Sequence, residues 1–266
     1  MNRHNPLSHI ESVGVGLPLV FLHGFPLDRG LWKRQVRYFG STHRVVTVDL
    51  PGFGNASPAD KQRLPNMASY AADVAAALSE SGINEPLVLV GLSMGGYVAL
   101  EFWRQFADRL AGLVLCHTKA TADTAVARAG RHESARTAVN SGTEASVGEM
   151  LKKLLSAQSE IEQPELTRWL RQTAIGMPPS AIEAAQLAMA ARDDFTDHLA
   201  NVRLPVLVLA GTDDEIATTE TMNAMARRMP TARFQAVHDA AHLSPIEQPD
   251  EFNRILDEFL QRIKPV

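Results

Sequence analysis

Five short apolar runs with almost no polar alternation limit the possible folds of this chain more than any other feature. The runs are PLVFLHG from Pro18, RVVTVDL from Arg44, PLVLVGL from Pro86, LAGLVLCH from Leu110 and LPVLVLAG from Leu204. A strand with one buried face alternates apolar and polar side chains, whereas a strand covered on both faces does not. The runs therefore predict strands of a parallel sheet that helices cover on both sides.

Segments of helical period separate most of these runs. Apolar residues recur three and four positions apart in MASYAADVAAALSESG from Met67 and in SMGGYVALEFWRQFADRL from Ser93. A last segment, PDEFNRILDEFLQRI from Pro249, opens with a proline and two acidic residues, as helices commonly do. Strands and helices alternate along the chain, which predicts the α/β fold class.

The alternation is interrupted once, between about residues 119 and 200, where successive helical segments follow one another without a strand. We predict a core domain formed by residues 1–118 and 201–266, with residues 119–200 as a helical cap insertion. Because open α/β sheets bind ligands beyond the carboxyl ends of their strands, we expect the cap to cover that edge.

Composition argues against several function classes. The net charge is -4 and the lysines and arginines are scattered, so we expect no nucleic acid partner. No apolar run approaches the ~20 residues of a membrane span, and the polar start MNRHNPLSHIESVGVG lacks the order of a signal peptide. We therefore expect a cytoplasmic protein with no membrane partner. The single cysteine, Cys116, lies within an apolar run and is predicted to be a core residue.

The segment GLSMGG places Ser93 between a predicted strand and a predicted helix. The glycines either let that helix pack closely on the strand or present the serine as a reactive group. The frame Gly91-x-Ser93-x-Gly95 in this context is typical of a nucleophile elbow. The N–H of Met94, first in the helix, would then point toward an oxyanion formed at Ser93, helped by the positive end of the helix dipole.

A serine nucleophile needs a base and a carboxylate that orients the base. The segment GTDDEI, after LPVLVLAG, offers Asp213 and Asp214, and HDAAHLSPIEQP, after RFQAV, offers His238 and His242. The order serine, acid, histidine is that of one serine-hydrolase architecture.

These motifs together resemble the α/β-hydrolase fold family over nearly the whole chain. The matching segments are HGFPLD from His23, DLPGFGNAS from Asp49, GLSMGG from Gly91, GTDD from Gly211 and AHLSPIEQP from Ala241. Within that superfamily the chain is most similar to the bacterial carboxylesterase, 3-oxoadipate enol-lactonase and cofactor-free perhydrolase group. The resemblance implies a mostly parallel sheet of seven or eight strands. The short segment before PLVFLHG favours seven.

The resemblance also implies a catalytic triad, with Ser93 as nucleophile, Asp214 as acid and His242 as base. Asp213 and His238 are the competing positions. Asp213 does not have the family's spacing from Gly211, and His238 lacks the LSPIEQP context that follows His242.

In the same way, the backbone N–H groups of Phe25 and Met94 correspond to an oxyanion hole. His23, in the same corner as Phe25, is expected to be structural. Phe25 and Trp169 are predicted to bind substrate, with Phe25 as a wall of the pocket. The apolar cap segment AIEAAQLAMAAR, with Trp169 and Phe195, indicates either an apolar acyl pocket or ordinary core packing.

The implied function is hydrolysis of a small carboxylic ester or lactone through an acyl-enzyme. We expect no metal and no cofactor, since the sequence lacks the H-E-x-x-H and G-x-x-x-x-G-K-[ST] patterns. A serine nucleophile disfavours dehalogenases and epoxide hydrolases of this fold, which need a carboxylate there. Perhydrolases, thioesterases and carbon–carbon bond hydrolases share the triad and stay open, as does a slow or non-catalytic small-molecule receptor. The sequence does not predict the oligomeric state.

Overall fold

The computed structural model describes residues 9–57 and 66–263, which form one seven-stranded sheet in the order β1-β3-β2-β4-β5-β6-β7. The strands are β1 Ile10–Val13, β2 Pro18–Leu22, β3 Arg44–Val48, β4 Leu87–Leu92, β5 Leu110–Cys116, β6 Val206–Gly211 and β7 Ala232–Val237. β1 is antiparallel to β3, and every other pair is parallel. The predicted fold class is confirmed.

The five apolar runs form the middle of the sheet. Every residue of β2, β4 and β6 is buried, which explains the absence of alternation in their sequences. β7 lies at the edge and alternates between partly buried and exposed positions. β1, the other edge strand, was not predicted from the sequence, because its four residues are mostly exposed and carry no burial pattern.

Eleven α-helices lie in the described part of the chain. They are α1 Lys33–Phe39, α2 Met67–Glu80, α3 Met94–Phe106, α4 Ala125–Ser141, α5 Thr143–Leu151, α6 Ala157–Glu162, α7 Pro164–Ile175, α8 Pro179–Ala190, α9 Thr219–Ala226, α10 Ser244–Glu247 and α11 Pro249–Leu260. None of these is both long and apolar enough to cross a membrane. α3 starts at the residue after Ser93, so that serine lies between the end of β4 and the amino end of a helix.

Helices α4 to α8 follow one another between β5 and β6. α4 packs along α8 and α5, and α7 packs against α5 and α6. The segment also bonds to the core, because the N–H of Ser156, just before α6, donates to the carboxylate of Glu247 at the end of α10. The helical segment is therefore attached close to the loop that carries His242.

Candidate active site

Ser93 lies in the sharp turn between β4 and α3, with φ 55° and ψ -111°. A residue with a Cβ rarely adopts positive φ, and such strain persists only where the surroundings enforce it. Here the N–H of Ser93 donates to the carbonyl of Cys116 at 2.8 Å, and the hydroxyl of Thr118 donates to the carbonyl of Ser93 at 2.8 Å. Both peptide groups are thus held by the end of β5, and the serine side chain stays partly exposed.

The glycines beside Ser93 are required for close backbone approach. A Cβ at Gly91 would lie 2.3 Å from the carbonyl oxygen of Gly95, and a Cβ at Gly95 would lie 2.4 Å from that of Leu22. Both distances are far below van der Waals contact. The sequence left open whether the glycines of GLSMGG serve close packing of the helix on the strand or the tight turn at Ser93. In the structure the same glycines do both.

Asp214 follows β6, His242 follows β7, and their side chains meet in the interior. Nδ1 of His242 donates to Oδ2 of Asp214 at 2.9 Å. Oδ1 of Asp214 accepts from the N–H groups of Ile216 at 2.8 Å and Ala217 at 3.0 Å. Burial alone would raise the pKa of Asp214, but hydrogen bonds from His117 and His242 outweigh it and hold that pKa far below its ordinary range.

The hydrogen bond to Asp214 fixes the tautomer of His242. Nδ1 carries the proton, so Nε2 is left as the basic nitrogen. Among the hydrogen bonds of the described residues, none joins His242 to the Ser93 hydroxyl. The structure therefore brings Asp214 and His242 into direct contact and leaves Ser93 outside that contact. Such bonds are often long before substrate binds.

The competing positions lie elsewhere. Asp213 is exposed, and its carboxylate accepts from the hydroxyl of Thr212 at 3.1 Å. The side chain of His238 is 71% exposed and pairs with Glu251 at 2.9 Å, which raises the pKa of this histidine. Within the described chain, neither residue is hydrogen-bonded to Asp214 or His242.

The corner after β2 lies directly against the elbow. A Cβ built at Gly24 would be 3.4 Å from the Cβ of Ser93. Phe25 is buried and meets the ring of Phe53 edge to face at 6.1 Å. Within the described chain, neither the Phe25 nor the Met94 backbone N–H donates a hydrogen bond. Two main-chain donors thus remain unpaired on the segments that flank Ser93.

Both ring nitrogens of His23 stabilise this corner. Nδ1 donates to the carbonyl of Gly24 at 3.0 Å, and Nε2 accepts from the N–H of Leu50 at 2.9 Å. Full burial lowers the pKa of His23. The neutral imidazole therefore joins the corner to the segment after β3.

A sequence model of the alpha/beta hydrolase family matches residues 19–255. The chain belongs to the alpha/beta hydrolase family. The resemblance inferred from the five motifs is confirmed at this level. The match spans the sheet from β2 to β7, the elbow, both loops that carry Asp214 and His242, and the helical segment between β5 and β6, and leaves out only β1 among the strands.

Individual hydrolases are similar over almost the whole chain. A thermophilic esterase from Thermogutta terrifontis, with malate bound, is 39% identical with a TM-score of 0.93, covering 96% of this chain and 93% of that one. 3-oxoadipate enol-lactonase 1 from Acinetobacter baylyi is 28% identical, covering 92% of this chain and 89% of that protein. The pimeloyl-[acyl-carrier protein] methyl ester esterase from Aeromonas hydrophila is 29% identical, covering 94% and 98%. Hydrolase membership is thus supported by proteins named for ester and lactone cleavage.

The sequence analysis missed one residue of this alpha/beta hydrolase that touches the candidate triad. His117 follows β5, and its Nδ1 donates to Oδ2 of Asp214 at 2.8 Å. Its Nε2 lies 2.7 Å from the hydroxyl of Ser244. The available signal was a histidine at the carboxyl end of the predicted strand LAGLVLCH, in which we considered no side chain but that of the cysteine. That cysteine, Cys116, is buried, and burial raises the pKa of its thiol.

Glu247 is a second residue that the sequence analysis missed, although it lies within the LSPIEQP motif. It is buried, and its Oε1 accepts from the N–H groups of Ala241 at 3.0 Å and Leu243 at 3.2 Å. Glu247 therefore holds the peptide groups on both sides of His242.

The nitrogen and oxygen atoms that His117, Asp214 and His242 offer lie within 4.8 Å of one another, as metal ligands would. Nδ1 of His117 and Nδ1 of His242 each donate a hydrogen bond to Asp214, so these atoms already have hydrogen-bond partners without an ion. We assign the group to hydrogen bonding.

The two cap aromatics occupy different surroundings. Trp169 lies on α7, partly buried against the core. Phe195 follows α8 and lines a cleft with Tyr97 and Leu100 of α3. Substrate contact by Trp169 or Phe25 stays a prediction.

Proposed function

We propose that this alpha/beta hydrolase cleaves a carboxylic ester or lactone through an acyl-enzyme on Ser93. The observation that supports it most is the combination of a strained serine at the amino end of α3 with the His242–Asp214 hydrogen bond at the same edge of the sheet. The named relatives act on esters or lactones, which favours that bond class over others that the same triad cleaves.

In the first step, the Ser93 hydroxyl attacks the substrate carbonyl while Nε2 of His242 accepts its proton. Asp214 stabilises the imidazolium that forms and remains ionised. The carbonyl oxygen becomes an oxyanion, for which the N–H groups of Phe25 and Met94 are the candidate donors. One such donor contributes about 3 kcal/mol to the transition state. His242 then protonates the leaving oxygen.

In the second step, His242 takes a proton from water, and the resulting hydroxide attacks the acyl-enzyme. Collapse of the intermediate releases the carboxylic acid and returns the proton to Ser93. We propose residues 119–200 as the cap over this site, since α6 is tied to the His242 loop through Ser156 and Glu247.

Labelling with a serine-directed fluorophosphonate, followed by peptide mapping, tests the proposal. We expect the label on Ser93, and we expect S93A to lose the label and at least about a thousandfold of turnover on a short-chain aryl ester. S12A, an exposed serine on β1, should keep both. Mapping is essential because Ser244 also contacts a histidine. A label on Ser244, an unlabelled wild-type protein or a fully active S93A would contradict the proposal.

A further inference from the structure

The end of β5 contacts two members of the candidate triad through three consecutive residues. The carbonyl of Cys116 accepts from the N–H of Ser93 at 2.8 Å, and the hydroxyl of Thr118 donates to the carbonyl of Ser93 at 2.8 Å. Between them, Nδ1 of His117 donates to Oδ2 of Asp214, also at 2.8 Å. The candidate nucleophile and its acid are therefore bonded to one short segment of the chain.

The ring of His117 has little freedom to move. The backbone lies in the left-handed region with φ 50°, which a residue with a Cβ rarely adopts unless its surroundings enforce it. The N–H of His117 donates to the carbonyl of Leu209 in β6 at 2.9 Å. The ring is buried, and its centre lies 5.5 Å from that of the His242 ring. Backbone bonding and packing thus fix the place from which Nδ1 donates.

The hydrogen bond from His117 completes the set of partners around the Asp214 carboxylate. A carboxylate offers about four lone-pair sites. Oδ1 accepts from the N–H groups of Ile216 and Ala217. Oδ2 accepts from His117 and His242. Loss of the His117 donor would leave a buried lone pair without a partner and would hold Oδ2 from one side only. The orientation that Asp214 presents to His242 therefore depends on His117.

His117 also bonds to the loop of the candidate base. Its Nε2 lies 2.7 Å from the hydroxyl of Ser244, two residues after His242 in the sequence. Burial lowers the pKa of His117, which favours the neutral ring. Because Nδ1 carries the proton of that ring, Nε2 accepts from the Ser244 hydroxyl. One imidazole thus joins the loop after β6 to the loop after β7.

Ser244, His117 and Asp214 have the residue types and the order of hydrogen bonds of a serine triad. A second nucleophile is therefore the alternative interpretation of this group. Ser244 is 0% exposed, whereas Ser93 is partly exposed. A substrate carbonyl can reach Ser93 but not a hydroxyl that is closed off from solvent. The burial of Ser244 favours a role in holding the site over a role in attack.

We propose that His117 is a positioning residue that fixes Asp214 relative to Ser93 and His242, so that the end of β5 sets the separation of the nucleophile from the acid–base pair. The inference rests on the proposed function and adds a fourth side chain to it. In this role His117 acts through the carboxylate of Asp214 and transfers no proton.

Three variants of His117 test this role by kcat and KM for a short-chain aryl ester. H117N places an amide N–H near the position of Nδ1, H117Q places its amide nearer to Nε2, and H117F keeps a ring without either nitrogen. We expect H117F and H117Q to lower kcat at least about tenfold with KM changed less than about twofold, since misplaced groups weaken the transition state more than binding. H117N should retain most of the wild-type kcat.

The order of the variants separates positioning from packing. If His117 only fills space, H117F is the most active variant and H117N loses the most. That order, or wild-type kcat in a folded H117F or H117Q, would overturn the proposal. H132F replaces an exposed histidine on α4 and is the matched control, which should keep wild-type kinetics.

The rate of fluorophosphonate labelling at Ser93 measures the coupling to Asp214 without substrate turnover. We expect H117F to slow labelling about tenfold in the wild-type background and less than about twofold in the D214A background, because the carboxylate through which His117 acts is then missing. Equal slowing in both backgrounds would show that His117 does not act through Asp214.

The outcomes also separate this proposal from the proposed function. If the wild-type protein is neither labelled at Ser93 nor active on the ester, the proposed function fails and the positioning role fails with it. If the wild-type protein is labelled and active, and the His117 variants match it, ester hydrolysis stands and only the positioning role is overturned.

Discussion

The carboxylate of Glu247 accepts a hydrogen bond from the backbone N–H of Ser156 at 2.7 Å. Its other oxygen accepts from the N–H groups on both sides of His242, at 3.0 Å from Ala241 and 3.2 Å from Leu243. One buried side chain thus joins the start of α6 to the loop of the candidate base. Displacement of α6 is coupled to the position of His242 through three charge-assisted hydrogen bonds.

We predict that E247Q destabilises the protein and lowers kcat. The amide has one accepting oxygen, and its NH2 group would face an N–H donor, leaving at least one buried donor unpaired. The expected loss is about 1–3 kcal/mol in the free energy of unfolding, with kcat reduced about tenfold or more. Urea denaturation and Michaelis kinetics measure the two effects. E258Q, on the exposed face of α11, should change neither, and wild-type kcat in E247Q would exclude the coupling.

The sequence predicted most of the fold because a strand that is buried on both faces appears as a continuous apolar run. Every residue of β2, β4 and β6 is buried, so their apolar runs were sufficient to identify them. β1 was missed because an exposed edge strand has no such pattern. The family motifs pointed to Asp214 and His242, which the structure shows in contact. His117 and Glu247 were missed because each bonds to a residue distant in the sequence, Asp214 and Ser156, and no local periodicity encodes such a contact.

The strain at Ser93 predicts an unusual order of stability among variants. S93A and S93G both lack the hydroxyl and differ only by the Cβ, which is unfavourable at φ 55°. We expect S93G to be more stable than S93A by about 1 kcal/mol in urea denaturation. A129G, at an exposed helical position in α4, should instead be destabilised by about 1 kcal/mol. An S93G variant less stable than S93A would contradict strain at the elbow.

Gly211 separates the two loops that carry Asp214 and His242. A Cβ at this position would lie 2.1 Å from the carbonyl oxygen of Ala240 and 2.3 Å from that of Ala241. G211A should therefore push the histidine loop away from the acid, with at least about a hundredfold loss of kcat and a clear loss of stability. G148A is the matched control, since nothing lies within 4 Å of a Cβ there. It should keep the activity and gain up to about 1 kcal/mol.

Buried titratable groups in and near the candidate site predict how stability depends on pH. His117 has a folded-state pKa below its ordinary value of 6.5, because burial disfavours the charged ring. Its contribution is fully present above about pH 6.5 and declines as the pH falls below that value, since the unfolded chain then binds the proton more readily. His23 acts in the same direction.

Asp214 has a depressed pKa, so its contribution is present above the unfolded value of about 4 and is lost at lower pH. The exposed pair of His238 with Glu251 has the opposite sign, but solvent screens it. We therefore expect the free energy of unfolding in urea to fall in two stages, the first below about pH 6.5 and the second below about pH 4. H117F should weaken the first stage and leave part of it to His23, and D214N should weaken the second. An H117F variant with the full wild-type slope between pH 6.5 and 5 would show that His117 is not neutral in the folded protein.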